Sequence, residues 1–267
     1  MAKKVTMVPT SEHTRQFVKR FEKLRYNHNA FSVYSDFLAI LALDISNAVN
    51  PNDARQQEYQ RVMKNYNAEE QKLLAEMFGC IVNEMEPAEG ATPRYHDVLG
   101  ELFHNLNLQD EWKGQFFTPQ DISDMMGLMA VGNYEQVIEK KGYVSILEPC
   151  IGGGSMVIGA VNAMFQKGYN PCKQLLVTAY DLDPRCVHMS YIQLSLMGIP
   201  AMIQQRNSLT GETYGEYWFT PVFVLDDWAG RLYLERIFNS VFAENQTSKE
   251  KAVAEKNVPK FEQLTLF

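Results

Sequence analysis

Apolar side chains recur every three or four residues near the start of the chain, and this spacing predicts helices. From Thr14 onwards, Phe17, Phe21 and Leu24 follow the pattern. The next stretch, from Phe31 to Val49, is apolar on most of its surface, which predicts a helix that is buried nearly all round. The chain therefore begins with packed helices rather than with strands.

Start signals place three further helices in the same region. Asn50 can cap a helix with Pro51 at its first position, and Asn67 followed by Glu70 is a capping box. A last periodic stretch runs from Tyr95 to Leu106. We therefore expect residues 1–110 to form a helical domain.

The pattern changes after residue 140, where short apolar runs alternate with longer periodic stretches. The runs predict four strands, at Val144 to Leu147, Gln174 to Tyr180, Ala201 to Gln205 and Val222 to Leu225. The stretches between and after them predict helices from Ser155 to Gly168, Arg185 to Met197 and Arg231 to Phe242. Strands that alternate with helices are typical of an α/β fold with a parallel sheet.

Candidate chemistry lies where the first two of these strands end. The first strand runs into a turn with three glycines that include Gly152 and Gly154, and a helix follows at once, so backbone N–H groups can approach a ligand. The second strand ends in Asp181, at the offset where nucleotide-binding folds place a carboxylate for the ribose hydroxyls. Asp183 either contacts the base of such a ligand or caps the next helix.

Five motifs, in the same order, resemble those of N6-adenine DNA methyltransferases, above all the modification subunit of type I restriction systems and its phage-borne relatives. They are Gly114-Gln-Phe-Phe-Thr-Pro119, Leu147-Glu-Pro-Cys-Ile-Gly-Gly-Gly-Ser-Met156, Tyr180-Asp-Leu-Asp-Pro184, Met189-Ser-Tyr-Ile-Gln-Leu-Ser-Leu-Met-Gly198 and Arg206-Asn-Ser-Leu209. The second usually reads Asp-Pro-Ala-Cys-Gly-Ser-Gly-Gly in that family, and this chain departs from it mildly. The resemblance covers about residues 110–210.

The resemblance implies a fold, a cofactor and a set of contacts. The fold would be a helical N-terminal region followed by a truncated Rossmann-like methyltransferase sheet over residues 111–245, and the cofactor would be S-adenosylmethionine. Phe117 and Thr118 would cover the methionine end of the cofactor, and Asn207 would hydrogen-bond its adenine. The full set of expected cofactor contacts is Phe117, Thr118, Glu148, Pro149, Gly152, Gly154, Asp181, Asp183 and Asn207.

One motif of that family is missing. The Asn/Asp-Pro-Pro-Phe/Tyr tetrapeptide, which accepts the target amine and stacks on the flipped base, occurs nowhere in the 267 residues. Thr220-Pro-Val-Phe223 keeps one proline and an aromatic ring, whereas Asp226, Asp227 and Trp228 offer carboxylates and a ring at the expected tip of the fourth strand. We expect these last three to line the target pocket. The alternative is a binding module that has lost catalysis.

Composition and charge narrow the setting. A hydrophobic content of 46% indicates a folded core, and the N-terminus has no apolar leader. No apolar run is long enough to cross a membrane, and the four scattered cysteines and five histidines show no metal-ligand spacing, so we expect a cytoplasmic protein without a metal. The resemblance to restriction-system and phage methyltransferases implies a bacterial or phage-infected bacterial cell. The net charge is −7, but residues 1–27 carry a net +5, which suits either phosphate contacts or a solvated helix face. The resemblance implies DNA as the substrate, and we expect a specificity or DNA-binding subunit as a partner.

The end of the chain carries a separate signal. Residues 246–267 combine a polar stretch, Ser248 to Lys260, with an apolar terminus. The terminus resembles the Gln-Leu-x-Leu-Phe peptide by which bacterial polymerases and repair proteins dock on the sliding clamp; its matching residues are Gln263, Leu264, Leu266 and Phe267. We expect a tethered clamp-binding peptide; the alternative is that these side chains fold back onto the protein's own surface.

Overall fold

The structure, a computed structural model, describes residues 11–106, 108, 118–130 and 134–236. The chain divides into two compact units, Met1–Asp226 and Asp227–Phe267. The first unit contains five N-terminal helices, α1 (Glu12–Leu24), α2 (Ala30–Val49), α3 (Asp53–Met63), α4 (Ala68–Met85) and α5 (Val98–Asn105). Next come α6 (Gln120–Ala130), α7 (Tyr134–Lys141), β1 (Val144–Glu148), α8 (Ser155–Gln166), α9 (Pro171–Gln174), β2 (Leu175–Asp181), α10 (Pro184–Leu196), β3 (Ala201–Gln205), β4 (Trp218–Phe219) and α11 (Pro221–Leu225).

Local capping sets the ends of the N-terminal helices. The capping box before α4 is confirmed, because the Asn67 side chain accepts from backbone N–H groups while the Glu70 carboxylate accepts from the Asn67 N–H. The expected start of α3 at Asn50 and Pro51 is wrong. Asn52 caps this helix instead, with its side-chain oxygen accepting from the N–H groups of Ala54 and Arg55.

Helix α2 is the centre of the helical layer. Nine of its twenty residues are buried. Among the described residues it is the one helix long and apolar enough to cross a bilayer by length and composition, but half of its apolar window is packed inside the protein, as in a core helix. α10 packs along it, so α2 joins the helical layer to the sheet layer.

The four strands form one sheet in the order β1-β2-β3-β4. β1 pairs with β2 and β2 with β3 in parallel, so Glu148 lies beside Ala179, and Asp181 lies beside Gln205. β4 is antiparallel to β3. The expected strands at Val144, Gln174 and Ala201 are confirmed to within a residue or two. The fold is therefore α/β, with a helical N-terminal region and a short Rossmann-like sheet.

The expected fourth strand, Val222 to Leu225, is wrong. This segment is helix α11, with Pro221 in its first turn. The helix begins there because proline has no N–H to donate to a ladder and already has a helical φ. The Thr220 side chain fixes this start to β3, since its hydroxyl donates to the Ile199 carbonyl at 2.7 Å and accepts from the Ala201 N–H at 2.8 Å.

The helical region and the sheet share one hydrophobic core. A single cluster of buried side chains runs from Phe17 in α1 to Ile203 in β3. Within it, the Tyr34 hydroxyl donates to the Leu99 carbonyl at 2.6 Å, which ties α2 to α5. The boundary expected near residue 110 therefore does not separate two cores.

Helices α6 and α8 cross at very close range. A Cβ on Gly127 would lie 2.3 Å from the Gly159 carbonyl oxygen, and a Cβ on Gly159 would lie 2.1 Å from the Ser123 carbonyl oxygen. Only glycine permits this approach. The crossing fixes Thr118 and Pro119, which lead into α6, relative to the turn that leads into α8.

Candidate cofactor site

The glycine turn between β1 and α8 has the conformation that its glycines allow. Gly152 and Gly154 have φ angles of 55° and 102°, in the left-handed region that side chains disfavour. Gly154 is the N-cap of α8 and makes no side-chain capping bond. A helix that starts on a glycine presents its first N–H groups without a Cβ in front of them, which suits an anionic or hydrogen-bonding ligand.

Asp181 holds this turn from the neighbouring strand. One carboxylate oxygen, Oδ2, accepts from the Gly152 N–H at 2.9 Å, and the other, Oδ1, accepts from the Asp183 N–H at 3.0 Å. The side chain is buried, and burial raises the pKa of its carboxyl group, although the two backbone hydrogen bonds oppose that rise. The carboxylate is thus fixed in one orientation at the carboxyl end of β2, beside the glycine turn.

The Asp183 carboxylate binds Arg185 in the first turn of its own helix, α10. Its Oδ1 accepts from the Arg185 N–H at 2.8 Å, which caps α10, and its Oδ2 pairs with the Arg185 guanidinium at 2.6 Å. Of the two alternatives for this residue, the structure shows the cap. Contact with a cofactor base stays a prediction.

The loop after β3 folds back toward the glycine turn. The Asn207 side-chain oxygen accepts from the N–H groups of Leu209 and Thr210, which closes a tight turn. The Ser208 hydroxyl donates to the Pro149 carbonyl. Glu148 at the end of β1, Pro149 after it and the loop with Asn207 therefore lie at the same end of the sheet, on either side of Asp181.

A buried network of hydrogen bonds from α5 and α10 supports the glycine turn, and the sequence did not predict it. Asp97, the N-cap of α5, accepts at Oδ1 from the Gly100 N–H and from the Gln193 Nε2, both at 2.8 Å. Gln193 Nε2 also donates to the Gly153 carbonyl at 2.6 Å. A Cβ on Gly153 would lie 2.3 Å from Asp97 Oδ2, so a glycine is needed at position 153 for this contact rather than for its φ angle. The capping position of Asp97 was the one signal in the sequence.

Thr118 lies at a cavity next to this network. The cavity has a volume of about 420 Å³ and is lined by Asp97, Gly100, Glu101, His104, Thr118, Pro119, Gln120 and Asp121. Gln120 Oε1 accepts from the Asp97 N–H at 3.2 Å, which joins the start of α6 to the N-cap of α5. Phe117, the other residue expected at the methionine end, lies outside the described residues.

A second cavity, of about 320 Å³, lies between α3, α10 and the end of β3, and includes Arg55, His188 and Trp218 in its wall. The Arg55 guanidinium stacks on the Trp218 ring at 4.3 Å from its centroid, and the His188 ring meets that indole edge-on at 5.0 Å. Burial lowers the pKa of His188 to about 4. This histidine is therefore neutral at physiological pH.

The residues expected in the target pocket do not lie at a strand tip. Asp226 follows helix α11, and both it and Asp227 are exposed. Trp228 is 0% exposed, so its ring is not available to stack on a flipped base in this conformation, and that expectation is wrong. Asp227, with φ 49°, accepts from the Gly230 N–H at 3.2 Å at the start of a helix over 228–236.

The described residues of the site offer hydrogen-bond donors and acceptors that suit an organic cofactor. They contain no group of three or more His, Cys, Asp or Glu side chains placed to hold a metal ion. The glycine turn offers N–H groups, Asp181 offers fixed acceptors, and Asp97 Oδ2 is a buried acceptor without a hydrogen-bond partner among the described residues. A nucleoside with an amino-acid end needs donors and acceptors of these kinds, and S-adenosylmethionine is such a molecule.

Comparison with proteins of known structure finds methyltransferases at low similarity. A protein from Listeria monocytogenes described as a candidate class I S-adenosylmethionine-dependent methyltransferase is 17% identical, with a TM-score of 0.41; the match covers 74% of this chain and 54% of the other. The methyltransferase subunit of a type I restriction-modification system from Streptococcus thermophilus is 16% identical, with a TM-score of 0.37, and the match covers 75% and 45%. The chain thus spans about half the length of these structures.

No curated protein matches the chain significantly. The profile of the N-6 DNA methylase family, in contrast, matches residues 96–261, which is more than half of the sequence. The matched segment begins one residue before Asp97, the N-cap of α5, and includes the glycine turn, Asp181 and Asn207. The chain therefore belongs to the N-6 DNA methylase family.

Proposed function

We propose that this protein binds S-adenosylmethionine at the glycine turn and acts as a DNA adenine-N6 methyltransferase, or as one subunit of such an enzyme. The observation that supports the proposal most is the bond between Asp181 and the Gly152 N–H. It joins the carboxylate at the end of β2 to the glycine turn that follows the neighbouring strand β1, so both can contact one nucleoside. Family membership supports methyl transfer as the type of reaction.

Each residue has a role in this proposal. Asp181 accepts the ribose hydroxyls with lone pairs that its two backbone bonds leave over, and Asn207 contacts the adenine. Glu148 and Pro149 line the edge of the turn, while Phe117 and Thr118 cover the methionine end. S-adenosylmethionine supplies a methyl group on a sulfonium centre. The chain's own residues hold the cofactor and the target amine in line, and most of the rate enhancement would come from that positioning.

The alternative is a cofactor-binding module without methyl transfer. Two observations favour it: the Asn/Asp-Pro-Pro-Phe/Tyr tetrapeptide is missing from the sequence, and Trp228 is buried. In the catalytic proposal, Asp226 and Asp227 are the remaining acceptors for the target amine. Neither has an aromatic partner from Trp228 in this conformation.

DNA and a second protein are the proposed partners. The basic N-terminal segment gives limited support for phosphate contacts, because Arg20 pairs with Glu76 at 2.7 Å and Arg25 pairs with Glu22 at 3.0 Å. Sequence recognition is therefore assigned to a specificity subunit or to another DNA-bound protein. Residues 246–267, with the clamp-type peptide at 263–267, lie outside the described residues, and sliding-clamp binding stays a proposal.

The test has two steps. Calorimetric titration of the purified protein with S-adenosylmethionine should give 1:1 binding, and Asp181→Ala should weaken it strongly. Transfer of a radioactive methyl group to unmethylated DNA is then measured, with an established adenine methyltransferase as the positive control. Binding with transfer supports the enzyme, binding without transfer supports the module, and no binding refutes both.

A further inference from the structure

We propose that Asp97 is a contact residue for the cofactor and that its Oδ2 accepts the α-ammonium group of the amino-acid end, at the wall of the cavity that Thr118 lines. This inference rests on the proposed function, and it adds a binding residue from the helical N-terminal region. It depends on three observations: the hydrogen bonds of Asp97, its distance from the glycine turn, and the charges around the cavity.

The first observation is an unused carboxylate oxygen. Asp97 is 4% exposed. Both of its side-chain hydrogen bonds, from the Gly100 N–H and from Gln193 Nε2, go to Oδ1. Oδ2 is buried and has no hydrogen-bond partner among the described residues. A buried acceptor of this kind is costly unless a ligand completes its bonding.

The hydrogen bonds that Asp97 makes do not require its charge. An asparagine at position 97 would keep both hydrogen bonds to its single side-chain oxygen, and it would cap α5 equally well. It would also avoid burial of a negative charge, which the fold otherwise has to tolerate. An aspartate that makes only the bonds of an asparagine indicates that the second oxygen, or its charge, serves a ligand.

The second observation places this oxygen at the cofactor site. A Cβ on Gly153 would lie 2.3 Å from Asp97 Oδ2, so the oxygen lies directly against the glycine turn. Gln193 reinforces the contact, because its Nε2 bonds both Asp97 Oδ1 and the Gly153 carbonyl. Asp97 thus lies against the glycine turn and also lines the cavity that contains Thr118 in its wall.

The third observation is the sign of the surrounding charge. The carboxylates of Asp97 and Glu101 line the same cavity, together with the largely solvated Asp121, the hydroxyl of Thr118 and the single imidazole of His104. The carboxylates outnumber the imidazole. The wall favours a cation. A metal ion is not the candidate, because the described residues hold no three-ligand cluster. A primary ammonium needs few acceptors, and a carboxylate is a strong one.

The experiment compares two ligands on three proteins. The ligands are S-adenosylhomocysteine and its des-amino analogue, in which hydrogen replaces the α-amino group. The proteins are the full-length wild type, Asp97→Asn, and Asp121→Asn. Asp121 is the matched control, because it lines the same cavity while its side chain is 99% exposed. Calorimetry gives the affinities, and thermal unfolding checks that each variant folds.

The wild type should bind S-adenosylhomocysteine about 10- to 100-fold more tightly than the des-amino analogue, as expected for a charged hydrogen bond. Asp97→Asn should lose this preference by weakening only the ligand that has the amino group, and it should be at least as stable as the wild type. Asp121→Asn should keep the preference.

Two results would overturn the inference while the proposed function stands. One is an Asp97→Asn variant that still prefers the amino ligand, and the other is a variant that binds both ligands equally weakly, which indicates a purely structural role. If Asp97→Asn does not fold, the affinities of the wild type for the two ligands still test the contact, because equal affinities would refute it. A wild type that binds neither ligand refutes the proposed function itself.

Discussion

Replacement of Asp181 by asparagine is the most direct test of the site. The carboxylate accepts from two different N–H groups, Gly152 on Oδ2 and Asp183 on Oδ1. An asparagine has only one oxygen. Whichever way its amide turns, the NH₂ group must face one of these N–H donors at about 3 Å, where two donors repel. The variant therefore loses one charge-assisted bond and leaves one buried N–H unpaired.

The expected magnitudes follow from these bonds. Loss of a charge-assisted hydrogen bond with an unpaired partner costs about 1–3 kcal/mol of folding free energy. The loss is partly offset, because Asp181 is buried and burial raises its carboxyl pKa, so the ionised carboxylate already carries a desolvation cost. Binding should suffer more, since the ribose also loses its acceptors; about 2–4 kcal/mol is expected for Asp181→Ala.

The assay is calorimetric titration with S-adenosylhomocysteine, combined with urea unfolding of the same samples. Asp183→Asn is the matched control. It lies two residues away and keeps the cap to the Arg185 N–H, so its affinity should stay close to that of the wild type if Asp183 serves only as the cap. Unchanged affinity in Asp181→Asn and Asp181→Ala would refute the assignment of Asp181 to the ribose. An equal loss in Asp183→Asn would show that the effect is not specific to Asp181, because either the loop as a whole or a contact of Asp183 with the cofactor base would then contribute.

Three further predictions concern packing, pH and the chain end. Gly159→Ala should lower the free energy of unfolding in urea by about 1–3 kcal/mol, because its Cβ would lie 2.1 Å from the Ser123 carbonyl oxygen. Gly79→Ala, which has open space around it, should cause no such loss. Equal effects of the two substitutions would contradict the close crossing of α6 and α8. The pKa of His188 is lowered to about 4, so its contribution to stability is complete above about pH 6.5 and is lost as the pH falls toward 4. His188→Gln should reduce the loss of unfolding free energy over this pH range by about 1–3 kcal/mol. An unchanged pH profile would contradict the burial of His188 as a neutral ring. Deletion of residues 263–267 should abolish co-elution with a bacterial sliding clamp and leave cofactor affinity intact; a full-length protein that shows no clamp binding at roughly tens of micromolar would rule the peptide out.

Local signals in the sequence predicted most of the elements correctly. The capping box at Asn67 and Glu70 needs only four neighbouring residues, and the structure shows both of its bonds. The strand from Ala201 to Gln205 is correct at both ends. The glycine turn and Asp181 were also recognisable, because the positions of a turn and of a strand end are set by nearby residues.

The prediction of the fourth strand was wrong because a short apolar run does not show the period of a strand or of a helix. Val222 to Leu225 is rich in β-branched residues, yet four residues fit a strand and one helical turn equally well. The preceding proline decided the outcome, since Pro221 takes the first turn of α11. The proline was visible in the sequence and could have been given more weight than the valines.

Contacts between distant segments could not be predicted. Nothing near Asp97 in the sequence indicates that its carboxylate lies against Gly153, and nothing near Gly127 indicates that its partner is Gly159. Such contacts depend on how helices cross, which a periodic pattern does not encode. The support below the glycine turn therefore became visible only in the structure.

The burial of α2 has a consequence for synthesis on the ribosome. α2 is made early, but α10, which packs along it, begins only at Pro184. While the intervening residues are translated, a helix as apolar as a membrane span has one side uncovered, and such surfaces bind chaperones or aggregate. Ribosome-bound chains that end before α10 should therefore be captured by a chaperone, and chains that extend well past Leu196 should be released. We therefore expect this helix to need protection during translation, although α10 packs along it in the finished fold.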